Sequence, residues 1–134
     1  MRNYAGQIDE WILWNEPEFR PDDPGAGGSY TWLGTDEEFA RLMKVGYLAA
    51  KKANPNAVVS FPGTSYWVEE LAAPRRPQFY ERFLRVVTED PEAAPNSFFH
   101  DAVSLNLYRT PDDLVRVGAL FREIQGRYGV EKPL

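Results

Sequence analysis

The apolar run Trp11-Ile12-Leu13-Trp14 delivers an asparagine and then a glutamate, Asn15-Glu16, immediately before Pro17. A short β-rich run of this kind reads as a strand. Pro17 has no N–H to give to a ladder, so it stops the strand there. Glu16 therefore stands at a strand tip, and the C-terminal tips of parallel strands are where barrel enzymes place their chemistry. A carboxyl group in that position can exchange a proton with a bound molecule. Asn106 and Tyr108 close a second such run, Asp101 to Tyr108. Trp14, Trp32 and Trp67 offer flat apolar faces with a polar tip, the chemistry that stacks on sugar rings. Each feature also has a plain reading: a solvated glutamate, a packed tyrosine, aromatic side chains that anchor loops.

Three successive strand-helix units must hold these residues. The first strand covers about Glu10 to Asn15, and a Gly- and Pro-rich loop runs from Pro17 to Gly34. Thr35 then opens a helix with Glu38 at the capping-box spacing. Phe39, Leu42, Met43, Gly46, Ala49, Ala50 and Ala53 form its inward stripe, and Asn54-Pro55 ends it. The second strand is Ala57 to Phe61, a buried β-branched run that Pro62-Gly63 breaks. A loop containing Tyr66, Trp67, Glu69 and Glu70 leads to a helix from about Pro77 to Thr88, with Phe79, Tyr80, Phe83, Leu84 and Val87 inward. The third strand covers about Ala102 to Tyr108. The last helix opens at Thr110 with Pro111 in its first position. It turns Leu114, Val117, Phe121, Ile124 and Tyr128 inward, and Gly129 caps it.

This alternation predicts an α/β fold with a parallel sheet. No Gly-x-Gly-x-x-Gly spacing sits at a strand-helix junction, since Gly25 to Gly28 lie mid-loop, and this disfavours a nucleotide-binding sheet. A net charge of −5 without a basic cluster argues against nucleic acid, and Arg75-Arg76 reads as solvated surface. The chain has no cysteine and one histidine, so thiolate chemistry, disulfides and His-pair metal sites are excluded. His100 precedes the third strand, on the face opposite the strand tips, and reads as structural or exposed. Asp22-Asp23 lacks the ligand spacing of a calcium loop. No cofactor and no metal are expected. No apolar run approaches a membrane span, and the first residues lack the apolar stretch of a signal peptide, which leaves localisation open.

The string Asp9-Glu10-Trp11-Ile12-Leu13-Trp14-Asn15-Glu16-Pro17 resembles the fourth strand of clan A glycoside hydrolases, the (β/α)8-barrel retaining glycosidases. The resemblance implies that Glu16 is the general acid/base and that Asn15 bonds the substrate's 2-hydroxyl. Asp101 to Tyr108 resembles the clan's sixth strand, which often ends in His-x-Tyr. There Tyr108 would position the nucleophilic carboxylate, and Asn106 stands where many members have His. Such an acid carries its proton near neutral pH, which takes an apolar wall or a second carboxylate. Trp14, two residues earlier, could supply part of that wall.

The resemblance covers nearly the whole chain, 1–134, as a partial TIM barrel of three consecutive βα units from about the fourth strand to the start of the seventh. A usual barrel has about 250 residues, so the chain is expected to be an internal piece of a larger enzyme. The clan's nucleophile, a Glu ending the seventh strand, would lie just past Lys132-Pro133-Leu134. Glu69, Glu70 and Glu131 do not replace it, so the isolated chain is expected to be inactive. The implied partners are an oligo- or polysaccharide or glycoside, with Trp14, Trp32, Trp67 and Asn106 binding it, and the remainder of the barrel. Cellulase-like family five and xylosidase-like family thirty-nine fit about equally. A non-catalytic carbohydrate-binding barrel and a small stand-alone α/β protein are the competing readings.

Overall fold

A computed structural model describes residues 2–20, 30–71 and 75–134. Three parallel strands, β1 (Glu10–Ile12), β2 (Val58–Thr64) and β3 (Ala102–Leu105), lie in sequential order. Helices α1 (Asp36–Ala53), α2 (Trp67–Leu71), α3 (Phe79–Val87) and α4 (Pro111–Arg127) alternate with them. Short 3-10 stretches at Arg2–Tyr4 and Ala94–Phe99 complete the elements. The protein is thus α/β with a three-stranded parallel sheet. After α4 the chain returns to the free edge of β3, where the Val103 N–H donates to the Pro133 carbonyl at 2.9 Å.

The helix boundaries follow local chemistry. Thr35 accepts from the Glu38 N–H at 3.2 Å while the Glu38 carboxylate accepts from the Thr35 N–H at 2.8 Å. This capping box satisfies two of the donors a helix start leaves orphaned. Thr110 and Asp113 repeat the device ahead of Pro111. Gly129 takes φ +63° just past α4, a conformation that favours glycine.

The core fills one face of the sheet. Val59 and Phe61 from β2 and Val103 from β3 meet Phe39 and Met43 of α1, Phe79, Tyr80, Phe83 and Leu84 of α3, and Val117, Phe121 and Ile124 of α4. Leu13 packs on Gly46, where any Cβ would collide with its side chain. Along β1 and β2 the alternate positions Glu10, Ile12, Val58 and Ser60 point to the other face. They are exposed or half-buried, and Ile12 is 58% exposed. His100 is fully buried at the bottom of the core, between the Tyr80 hydroxyl at 2.9 Å and the Phe98 carbonyl at 2.8 Å. It is a structural residue, and burial pushes its pKa down to about 4.

Several expectations need correction. β1 ends at Ile12 and β3 at Leu105, each three residues early, because the tips turn out of the ladder to build the cluster described below. Pro62-Gly63 does not break β2, which runs on to Thr64. The register against β3 shifts between Phe61 and Thr64, so the missing Pro62 N–H falls where the ladder is irregular. Glu69 and Glu70 belong to α2 rather than a loop, and Glu69 is fully buried. On α1 the buried face is Phe39, Ala40, Met43, Tyr47 and Ala50, and Ala49 is exposed. On α4 Leu114 is 60% exposed. Arg76 is half-buried rather than solvated, while Arg75 is exposed. The residues Asp22-Asp23 and Gly25 to Gly28 lie outside the described residues.

Candidate active site

Glu16 sits where the backbone leaves β1. Asn15 forms a bend, and Glu16 itself adopts φ +47°, a left-handed conformation uncommon for a residue with a side chain. Strain of this kind persists only where the surroundings over-determine it, and it gathers at functional sites. Two backbone contacts hold it here. The Glu16 N–H donates to the Gly63 carbonyl at 3.0 Å, and its carbonyl accepts from the Thr31 hydroxyl.

The carboxyl group is met by residues from the tips of all three strands. Glu16 Oε1 accepts from Ser65 Oγ at 2.7 Å, Asn106 Nδ2 at 2.8 Å and the Tyr108 hydroxyl at 3.3 Å. Glu16 follows β1, Ser65 follows β2, and Asn106 and Tyr108 follow β3. Three donors on one oxygen fix the carboxyl orientation and leave Oε2 outside that set. The Glu16 charge raises the pKa of the Tyr108 hydroxyl above its ordinary value. Gly63 is part of this construction. A Cβ there would lie 2.8 Å from Asn106 Cγ, so glycine lets the Asn106 amide cross the β2 backbone to reach Glu16.

A second carboxyl group lies underneath. Glu18 is fully buried and its Oε1 accepts from the Ser65 N–H. Burial pushes its pKa up to about 8, against the backbone donation, and the nearby charges of Glu69 and Glu16 push the same way. Ser65 therefore touches both carboxyl groups, Glu16 with its hydroxyl and Glu18 with its amide. Beyond Glu69 an ionic chain runs outward. Arg82 reaches Glu69 at 3.4 Å and Asp36 at 3.1 Å, and Arg20 meets Asp36 at 2.9 Å.

The aromatic residues divide. Trp14 is 38% exposed, donates from Nε1 to the Thr31 carbonyl at 3.0 Å, and meets Trp32 edge-to-face at 5.5 Å. Trp32 in turn meets Phe39 at 5.5 Å, so this pair is anchored to the core and open to solvent at Trp14. Trp67 is half-buried against Phe19 at 5.8 Å. Tyr30 is 52% exposed, whereas Tyr66 is fully buried and offers no platform. Asn15 is exposed at its bend, beside the cluster but apart from the Oε1 donors.

Of the residues singled out in the sequence, Glu16, Asn106 and Tyr108 come together, and Ser65 and Glu18, which the sequence did not mark, join them. Ser65 lies just after the unbroken β2, so placing the strand end at Phe61 hid it. Glu18 stands two residues past Glu16 and looks like loop. Among the described residues no cluster of three or more His, Asp or Glu could hold a metal ion, and no helix is long and apolar enough to cross a membrane.

Fold and site together define an α/β protein whose parallel strand tips converge on one carboxyl group. No family model, no curated protein and no solved structure matches the chain.

Proposed function

We propose that the chain is part of a (β/α)8-barrel retaining glycoside hydrolase in which Glu16 is the general acid/base. The observation that carries this reading is the convergence of Ser65, Asn106 and Tyr108 from successive strand tips on Glu16 Oε1. Barrel enzymes assemble their sites in this way, from the ends of several different strands. Two features of the fold agree. The strands follow one another in order with the core on one face. The other face carries partly exposed side chains of the kind a closed barrel takes inside, and parallel sheets usually have both faces covered.

The chemistry is a double displacement. A carboxylate nucleophile about 5–5.5 Å from Glu16 attacks the anomeric carbon as the glycosidic bond breaks and Glu16 gives its proton to the departing oxygen. Water then attacks the glycosyl-enzyme while Glu16 takes back a proton. The nucleophile would stand at the tip of a strand that Lys132-Pro133-Leu134 would begin beside β3, which the Val103–Pro133 hydrogen bond supports. Tyr108, exposed and already bonded to Glu16, would then bridge the two carboxyl groups. Asn15 would meet the 2-hydroxyl, and the Trp14–Trp32 pair would stack on a sugar ring.

The stereochemistry of the product tests this. Proton NMR of the first sugar released from an aryl glycoside by the complete protein should show the anomer of the substrate's own configuration. The opposite anomer would overturn the double displacement, and an inert complete protein across α- and β-glycosides would favour a carbohydrate-binding barrel.

A further inference from the structure

Glu18 is a fully buried carboxyl group with no cation bonded to it among the described residues, and the proposed reaction does not use it. Its Oε1 has the Ser65 N–H, while Oε2 has no hydrogen-bond partner among the described residues. A buried charge normally carries a counter-ion and a full set of hydrogen bonds. The Arg82 guanidinium, which lies beyond Glu69, is bonded to Glu69 and Asp36. Among the described residues, the charges that push on Glu18 are acidic: Glu69 on α2 and Glu16 on its own segment. Tyr108, on the β3 side, also feels its charge.

We infer that Glu18 is a positioning residue for Glu16, held as the neutral acid and acting through Ser65, and that ionising it disables the site on the alkaline side. Its Oε1 fixes the Ser65 amide, which aims the Ser65 hydroxyl at Glu16 Oε1. Ionised, Glu18 would place an uncompensated charge beneath Glu16 and beside Glu69, and the segment would have to open to water. This inference rests on the proposed acid/base role of Glu16.

The folding side of the inference stands by itself. The folded chain keeps the Glu18 proton up to about pH 8, while the unfolded chain releases it near the ordinary carboxyl value of 4.5. A folded pKa raised in this way contributes stability that is lost as pH rises toward 8. His100 has the opposite sign. Its folded pKa is depressed to about 4 from 6.5, so its contribution is complete above pH 6.5 and is lost as pH falls toward 4. The window from pH 6.5 to 8 therefore isolates Glu18.

The test compares Glu18→Gln, Glu18→Ala and the unchanged complete protein. Gln keeps the acceptor for Ser65 and cannot ionise, whereas Ala removes the acceptor. The urea midpoint of the unchanged protein should fall between pH 6.5 and 8, and that of Glu18→Gln should not. Glu18→Gln should keep kcat within about threefold at pH 6 and extend the active range upward by about one pH unit. Glu18→Ala should lose tenfold or more in kcat with KM little changed. Parallel urea profiles for Glu18→Gln and the unchanged protein would overturn the neutral acid, whether or not the protein hydrolyses glycosides. Superimposable pH–rate profiles, or equal losses for Gln and Ala at pH 6, would overturn the positioning role and leave the acid/base reading of Glu16 standing.

Discussion

If the proposed function holds, replacing Glu16 with Gln should slow hydrolysis of substrates with poor leaving groups by roughly 10²–10⁴-fold, the usual contribution of a positioned acid or base. The expected loss in transition-state stabilisation is about 3–5 kcal/mol. Gln has nearly the volume of Glu, and its carbonyl oxygen can accept from Ser65, Asn106 and Tyr108 as Oε1 does. The cluster should therefore persist while proton transfer is lost. Leaving groups that depart as stable anions need no proton, so dinitrophenyl glycosides should lose far less in glycosylation than alkyl glycosides. Substrate binding should change little. Steady-state kinetics across a leaving-group series checks this, and a uniform loss across the series would mean that Glu16 acts on binding or structure rather than as an acid.

The second large effect is on folding. Phe61→Ala should destabilise the protein by about 3–5 kcal/mol, the range for removing a large buried aromatic side chain. Phe61 is fully buried in the middle of β2. Its ring lies 4.9 Å from both Tyr80 and Phe83, 6.0 Å from Phe39, 6.1 Å from His100 and 6.4 Å from Phe79, measured between centroids. It thereby joins α1, α3 and the segment before β3 in one aromatic cluster, and a cavity there would leave several rings without partners. Small domains have only about 5–15 kcal/mol of stability, so the loss is a large share of the total. Because Phe61 is followed by Pro62, Gly63 and Ser65, the same change should loosen the β2 tip that supports Glu16. Urea unfolding measures the effect, and a shift below about 1 kcal/mol would place the centre of the core elsewhere.

The helices were the most legible part of this sequence. Thr35 with Glu38, Thr110 with Pro111, and the five inward residues of α3 each carry a local signal that tertiary structure did not override. Strand lengths were less legible. Pro62-Gly63 looks like a break, yet the irregular register with β3 absorbs the proline and Asn106 needs the glycine. Ala40 and Tyr47 were missed on α1 because its buried stripe is set by the positions of α3 and the segment before β3. In the site, Glu16 was visible from its own short string, whereas its partners are 49, 90 and 92 residues away in sequence. Asn106 and Tyr108 could be suspected from their place at a strand tip. Ser65 and Glu18 could not, because their roles depend on the left-handed turn at Glu16 and on burial that no local pattern encodes.

The most direct test of the central claim is chemical rescue of Glu16→Ala in the complete protein by azide. On the proposed mechanism, the glycosyl-enzyme formed from an activated aryl glycoside would wait, without its acid/base, for a nucleophile that needs no proton removed. Azide should restore turnover and yield a glycosyl azide of the substrate's own anomeric configuration. A glycosyl azide of the opposite configuration would make Glu16 the nucleophile, and an active wild type whose Glu16→Ala variant needs no rescue would contradict the account.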